Sequence, residues 1–196
     1  MPRPTRSLTR FLALALTCAL VMLGLASVPA QAKVPSKAQW VEDVHDAMVG
    51  AWGYVDRRVA RAEKEGVSQL AVNFDIDNTA LASHYAYGKP VRTSIRFARH
   101  LRKRNVSVLF NTGRITGEGR LRKARKQLVK AGYTVTEICG RTSSRESLAH
   151  SKKRCRQHFV DEGYTIIANV GNRSTDFTGG NYERAYRLPN YHGQLA

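Results

Sequence analysis

Acidic side chains are scarce in this chain: 15 Asp and Glu stand against 32 Lys and Arg, a formal net charge of +17 over 196 residues. A field of that sign attracts anions, including phosphate esters, nucleic acid and acidic cell-surface polymers. Much of the charge sits in the expected helical stretches 96–104 and 120–130, where solvated helix faces account for most of it. Cysteine is rarer still, with Cys18, Cys139 and Cys155 only. No internal repeat, linker or low-complexity segment breaks the chain, which excludes solenoids and tandem arrays. Long apolar runs are missing too. The one candidate, 11–26, falls short of the roughly 20 residues that a membrane span needs.

That run instead belongs to a targeting pattern. Arg3, Arg6 and Arg10 form a positive start, the apolar stretch follows, and Ala30-Gln31-Ala32 has the small-x-small form of a signal-peptidase site. The residues before Cys18 do not form a lipoprotein box, and no Arg-Arg pair marks twin-arginine export. The expectation is a signal peptide over 1–32, cleavage after Ala32, and a secreted single domain over 33–196; an uncleaved anchor is the alternative. Loss of the three arginines takes the formal charge from +17 to +14. The expected domain can bury its own core. It keeps Cys139 and Cys155, and an exported chain with an even cysteine count suggests a disulfide between them. Two free thiols are the alternative.

Apolar residues Trp40, Val44, Met48, Trp52, Val55 and Val59 recur at helical steps, predicting one amphipathic helix over 36–65, opened by a Ser36/Gln39 capping box and stopped by Gly66. The chain then alternates. Strands are expected at 70–75, 106–111, 134–138, 164–170 and 185–188, and helices at 94–104, 117–131 and from a Ser143/Glu146 capping box to 162. Helix-Gly-strand recurs at Gly66, Gly132 and Gly163. Such alternation implies an α/β fold with right-handed βαβ units and helices on both faces of a parallel sheet.

Chemistry-bearing residues cluster at the expected strand ends, where open parallel sheets bind ligands. In Phe74-Asp75-Ile76-Asp77-Asn78-Thr79 two carboxylates lie two apart at the end of an apolar run, on one face if extended. Together they disfavour double ionisation unless a cation joins them. A strand followed by an Asx-type turn is the plainer alternative. Asn111-Thr112-Gly113-Arg114 follows the second strand, with a hydroxyl and the backbone amides of a Gly turn suited to phosphate oxygens. Lys152 lies in the last long helix. Gly171-Asn172-Arg173-Ser174-Thr175-Asp176 puts oxygen side chains after a strand, as a hard cation requires.

In this order the four motifs resemble the haloacid dehalogenase (HAD) superfamily of phosphohydrolases, nearest to the secreted acid phosphatases of subfamily IIIB. That branch includes plant acid phosphatases, vegetative storage proteins and exported actinobacterial relatives. The resemblance runs over 70–188. It implies a Rossmann-like HAD fold. It implies Asp75 as nucleophile forming an aspartyl-phosphate, and Asp77 as general acid and then base, its main-chain carbonyl also binding Mg²⁺. Thr112 and Gly113 would hold the phosphoryl group, and Lys152 would neutralise its charge. Asp75, Asp77, Asn172 and Asp176 are the implied metal set, for Mg²⁺ or another divalent ion. The departure is Asn172, since the family pattern has Asp directly after Gly. Either Asn172 is a weaker ligand or Asp176 supplies the missing charge.

Asp75 and Thr112 are 37 positions apart, and Thr112 and Lys152 are 40 apart. Neither gap holds a large cap domain, so an open site is expected. His84, Tyr85 and Tyr87 could line its mouth, with His84 a substrate contact or a structural loop residue. Arg114 could contact substrate or pair with an acid. The reading is a secreted Mg²⁺-dependent phosphomonoesterase acting on small phosphomonoesters, with nucleotides as a variant. A non-catalytic binding or storage protein, and a basic protein contacting polyanions, are the alternatives.

Overall fold

The computed structural model describes residues 34–117 and 119–195. The signal-peptide expectation falls on residues outside these. Two helices open the described chain, α1 (Lys37–Ala47) and α2 (Ala51–Glu65). The expected single helix over 36–65 is therefore broken. Gly50 takes φ 79°, in the left-handed region that ends one helix before the next begins. Ser36 caps α1 by accepting from the Gln39 backbone N–H at 3.2 Å, but the Gln39 side chain donates to Asp43 instead of closing a capping box.

Five strands follow with helices between them: β1 (Leu70–Phe74), α3 (Arg92–Lys103), β2 (Ser107–Ile115), α4 (Arg120–Lys130), β3 (Glu137–Arg141), α5 (Leu148–Asp161), β4 (Thr165–Gly171) and β5 (Arg184–Arg187). The order across the sheet is β3-β2-β1-β4-β5, and every pairing is parallel. This is the α/β, Rossmann-like architecture expected from the alternation. The order reverses between β1 and β4, so the crevice beyond their carboxyl ends is the natural ligand site.

The sheet divides the core unequally. Val72, Phe74, Val108, Phe110 and Val170 pack with the apolar faces of α1–α4 in the larger cluster. On the other face Ala71, Leu109 and Ile166 meet Phe159 of α5 and the half-cystines. Cys139 and Cys155 are disulfide-bonded, tying β3 to α5 across the thinner layer.

Several expected boundaries moved, among them the third strand, expected at 134–138 and found at Glu137–Arg141. β2 runs on through the Thr-Gly-Arg motif, because Thr112 pairs with Gly140 and Ile115 with Arg141, and the register shift between them absorbs Gly113 and Arg114 as a bulge. The Ser143/Glu146 box does not open α5. Ser147 caps it, accepting from the His150 N–H at 3.2 Å, while Glu146 is drawn off to Arg154 and Thr142. The chain between β1 and α3 is a short folded loop, with Leu81 bridging to Asp77 and Pro90, so no cap domain is inserted there.

Candidate active site

A cavity of about 310 Å³ opens beyond β1 and β4, walled by Asp75, Asp77, Gly113, Arg114, Lys152 and Asp176. Asp75 is the first residue past β1, and its N–H still donates to Val170 O at 2.9 Å, which aligns it with the end of β4. The chain then turns sharply: the N–H groups of Ala80 and Leu81 both donate to Ile76 O, and Asn78 takes φ 56°. That turn brings Asp77 back into the same cavity.

Lys152 reaches the site from α5. Its Nζ donates to Asp75 Oδ1 and to Asn111 O (2.7 Å), and pairs with Asp176 Oδ1 at 2.8 Å. Asn111 returns the contact by donating its Nδ2 to Lys152 O at 2.7 Å, holding the lysine at both ends. Lys152, Asp75 and Asp176 are all buried. Burial pushes the Asp75 carboxyl up to about 7 against the pull of the Lys152 ammonium. Burial works against the Lys152 charge too, but the two carboxylates outweigh it and raise its pKa.

Asp77 is held differently. Arg114 donates to it twice, Nε to Oδ2 at 2.9 Å and Nη2 to Oδ1 at 2.7 Å, and Ser83 Oγ donates to Oδ1 at 2.5 Å. Burial would raise its pKa, yet these contacts hold it below the usual carboxylate value. Of the two roles open to Arg114, the structure gives pairing with an acid.

The fourth motif folds around Asp176. Its Oδ2 accepts from the N–H groups of Asn172 (3.0 Å) and Arg173 (2.8 Å). A Cβ on Gly171 would sit 2.5 Å from that oxygen, so only glycine lets the carboxylate close over the turn. The buried Arg156 donates to Asp176 O at 2.6 Å and to the carbonyls of Thr178 and Gly180, fixing the loop from behind. Asn172 is buried, and neither its Oδ1 nor its Nδ2 has a hydrogen-bond partner.

Among the described residues no group of three His, Cys, Asp or Glu side chains forms a ready-made metal cluster. The donor set nonetheless fits a divalent cation. Asp75 and Asp176 flank one ammonium, and Asn172, whose backbone N–H donates to Asp176, carries an orphaned buried Oδ1, although it is not among the cavity walls.

Two expected substrate contacts stand outside the cavity walls. Thr112 is buried, its Oγ1 accepting from the Arg114 N–H at 3.2 Å, because its strand continues where a turn was expected. His84 is carried off by its loop: its N–H donates to Asn78 Oδ1 at 2.8 Å and its ring lies edge-on to Tyr85. Sequence reasoning in turn passed over Asn78, Leu148, Arg173 and Thr175, which do line the cavity. Asn78, Arg173 and Thr175 lie inside motifs already singled out. Leu148 carries no signal, since it arrives only with the first turn of α5.

No curated protein matches the chain. A family model does, that of the HAD superfamily, subfamily IIIB (acid phosphatase), over residues 87–194. The match takes in β2 to β5, with the Thr-Gly-Arg motif, Lys152 and the Gly-Asn turn, and begins after the Asp75–Asp77 run. With more than half its length matched, the chain belongs to the HAD superfamily, subfamily IIIB, the acid phosphatases, which hydrolyse phosphoric monoesters.

Proposed function

We propose that the protein is an exported phosphomonoesterase, mature from residue 33, that works through an aspartyl-phosphate on Asp75. The observation carrying this reading is the buried Asp75–Lys152–Asp176 group at the end of β1, open to the cavity. Asp75 attacks phosphorus, and the bond to the leaving alcohol oxygen breaks. Lys152 offsets charge on the nucleophile and the phosphoryl oxygens, already held in place by Asn111. Asp77, next to the cavity, is the group that would deliver the proton to the leaving oxygen and later take one from the hydrolytic water; the contacts from Arg114 and Ser83 favour its ionised form, so the first of these steps needs them to loosen. Asp75, the Asp77 carbonyl, Asn172 and Asp176 are the groups that would hold a divalent metal, Mg²⁺ by resemblance. Such an ion, when bound, offsets repulsion between the carboxylate and the phosphate dianion.

The test is hydrolysis of p-nitrophenyl phosphate by the purified protein with Mg²⁺ and with EDTA, beside an Asp75→Asn control, from acid to neutral pH. Turnover is expected to need the metal and to fall by more than about 10³-fold in the variant. A folded sample without turnover under any divalent metal would put the binding or storage reading first, as would an unaffected variant.

A further inference from the structure

The grip on Asp77 extends to a residue outside the reaction cavity. Arg114 holds the carboxylate with Nε and Nη2, and its third nitrogen, Nη1, donates the other way, to Gln127 Oε1 at 2.6 Å. Gln127 is half-buried on α4, beside the buried Ala124 and Leu128, and is not among the walls of that cavity. Its own Nε2 donates to Tyr87 Oη at 3.3 Å, on the loop that follows Asp77 and also carries Ser83. One amide therefore joins α4, the bulge of β2 and the loop of the proposed general acid.

Two contacts to Asp77 fix the guanidinium against the carboxylate, but they do not fix the pair against the protein. Arginine carries its fork on a long stem with many rotamers. Arg114 also sits in the bulge, where no ladder pair on β3 holds its backbone. The contact to Gln127 removes this freedom by tying the fork to a helix. The tie matters at the moment of proton transfer. The carboxyl of Asp77 must then turn from Arg114 toward the leaving oxygen, and an untethered guanidinium follows its partner.

We propose that Gln127 is a positioning residue for the proton transfer: it pins Arg114 to α4, so that Asp77 alone moves between the arginine and the leaving oxygen. The proposal rests on the reading of Asp75 as nucleophile and Asp77 as general acid. In the attack Asp75 bonds to phosphorus, the bond from phosphorus to the alcohol oxygen breaks, and the proton passes from the Asp77 carboxyl to that oxygen. An alkyl alcohol is a poor leaving group and needs the proton, whereas p-nitrophenolate leaves without it. Misplacing Asp77 therefore costs alkyl phosphates far more than p-nitrophenyl phosphate, a split that a general loss of structure does not produce.

The test compares kcat/KM, which covers the steps up to loss of the alcohol, for glycerol 2-phosphate and p-nitrophenyl phosphate, with the full chain and Mg²⁺, in the wild type and in Gln127→Leu. Gln127 is half-buried on a helix and leucine is a strong helix former, so the variant should keep its fold. The expected result is a loss of about tenfold or more for glycerol 2-phosphate and of less than about threefold for p-nitrophenyl phosphate. Equal losses for the two substrates, or an unchanged value for the alkyl phosphate, would overturn the assignment. Asp77→Asn, run alongside, reports separately on the general-acid reading and should show the same split. If it does not, or if the wild type turns over neither substrate, that reading fails, and hydrogen exchange of the Arg114 Nε–H, followed by NMR, decides the placement. Protection in the wild type that is lost in Gln127→Leu supports the pin, and unchanged or absent protection overturns it.

Discussion

Asn172 stands at the turn after β4 with both amide atoms buried and unpartnered, a cost of roughly 1–3 kcal/mol for each group unless a ligand meets it. The neighbouring Asp176 cannot turn freely to replace it, since one oxygen accepts two backbone N–H groups and the other faces Lys152. The oxygen that residue 172 itself would offer a cation is therefore neutral. Asn172→Asp restores the missing charge without changing shape. The divalent metal concentration for half-maximal activity is expected to fall about tenfold, near 1.4 kcal/mol. A calorimetric metal titration without substrate checks this, and unchanged binding would mean that residue 172 does not face the metal. The motif itself was readable from the residue order. Its occupancy was not, because whether an Asn amide is satisfied depends on what packs over it.

At the scale of elements, the proposed reaction depends on α5, which carries Lys152 and is the helix in the thinner layer beneath the sheet. The Cys139–Cys155 disulfide fastens it to β3 three residues beyond Lys152. In the chain-entropy model a loop of this size contributes about 3 kcal/mol. Replacing both cysteines by serine is expected to lower the thermal midpoint by roughly 6–12 °C, at about 2–4 °C per kcal/mol for a domain of this size. A scan of the two proteins side by side measures it, and overlapping transitions would show that packing of Phe159 alone secures the helix. The pairing was legible from cysteine parity. The start of α5 was not: Glu146 looked like half of a capping box, but Arg154, eight residues on, competes for its carboxylate with charged hydrogen bonds that a neutral cap cannot match.

Over the whole molecule, buried or clamped carboxylates set the acid limit of stability. The hydrogen bonds from Arg154, ahead of a smaller effect of burial, pull Glu146 down to about 2. Glu183, which ties α2 to the sheet through Arg58 and Tyr54, is also lowered, the Arg58 and Tyr54 contacts outweighing burial. A carboxyl depressed in the folded state stabilises above its unfolded value, near 4.3, and the benefit disappears as pH falls through the folded value. These two carboxyls are thus expected to make the thermal midpoint drop as pH falls between about 4.3 and 2. Glu146→Gln should start lower at neutral pH and lose less across that window. Parallel pH-stability curves for the two proteins would rule the clamp out as a source of the drop.

The sequence by itself determined the strand and helix alternation, the glycine stops at Gly66 and Gly163, and the placing of Asp75 and Asp176 just past strand ends, whereas Lys152 on α5 entered only through the family resemblance. Those follow from local periodicity and from the rule that parallel strands place their carboxyl ends together. Tertiary structure decided that Gly50 splits the first helix and that β2 bulges through Thr112-Gly113-Arg114. It also decided that Arg114 locks Asp77 and that His84 leaves the site. Each of these depends on hydrogen bonds or packing between segments tens of residues apart, and no local pattern in the chain encodes which distant partner wins.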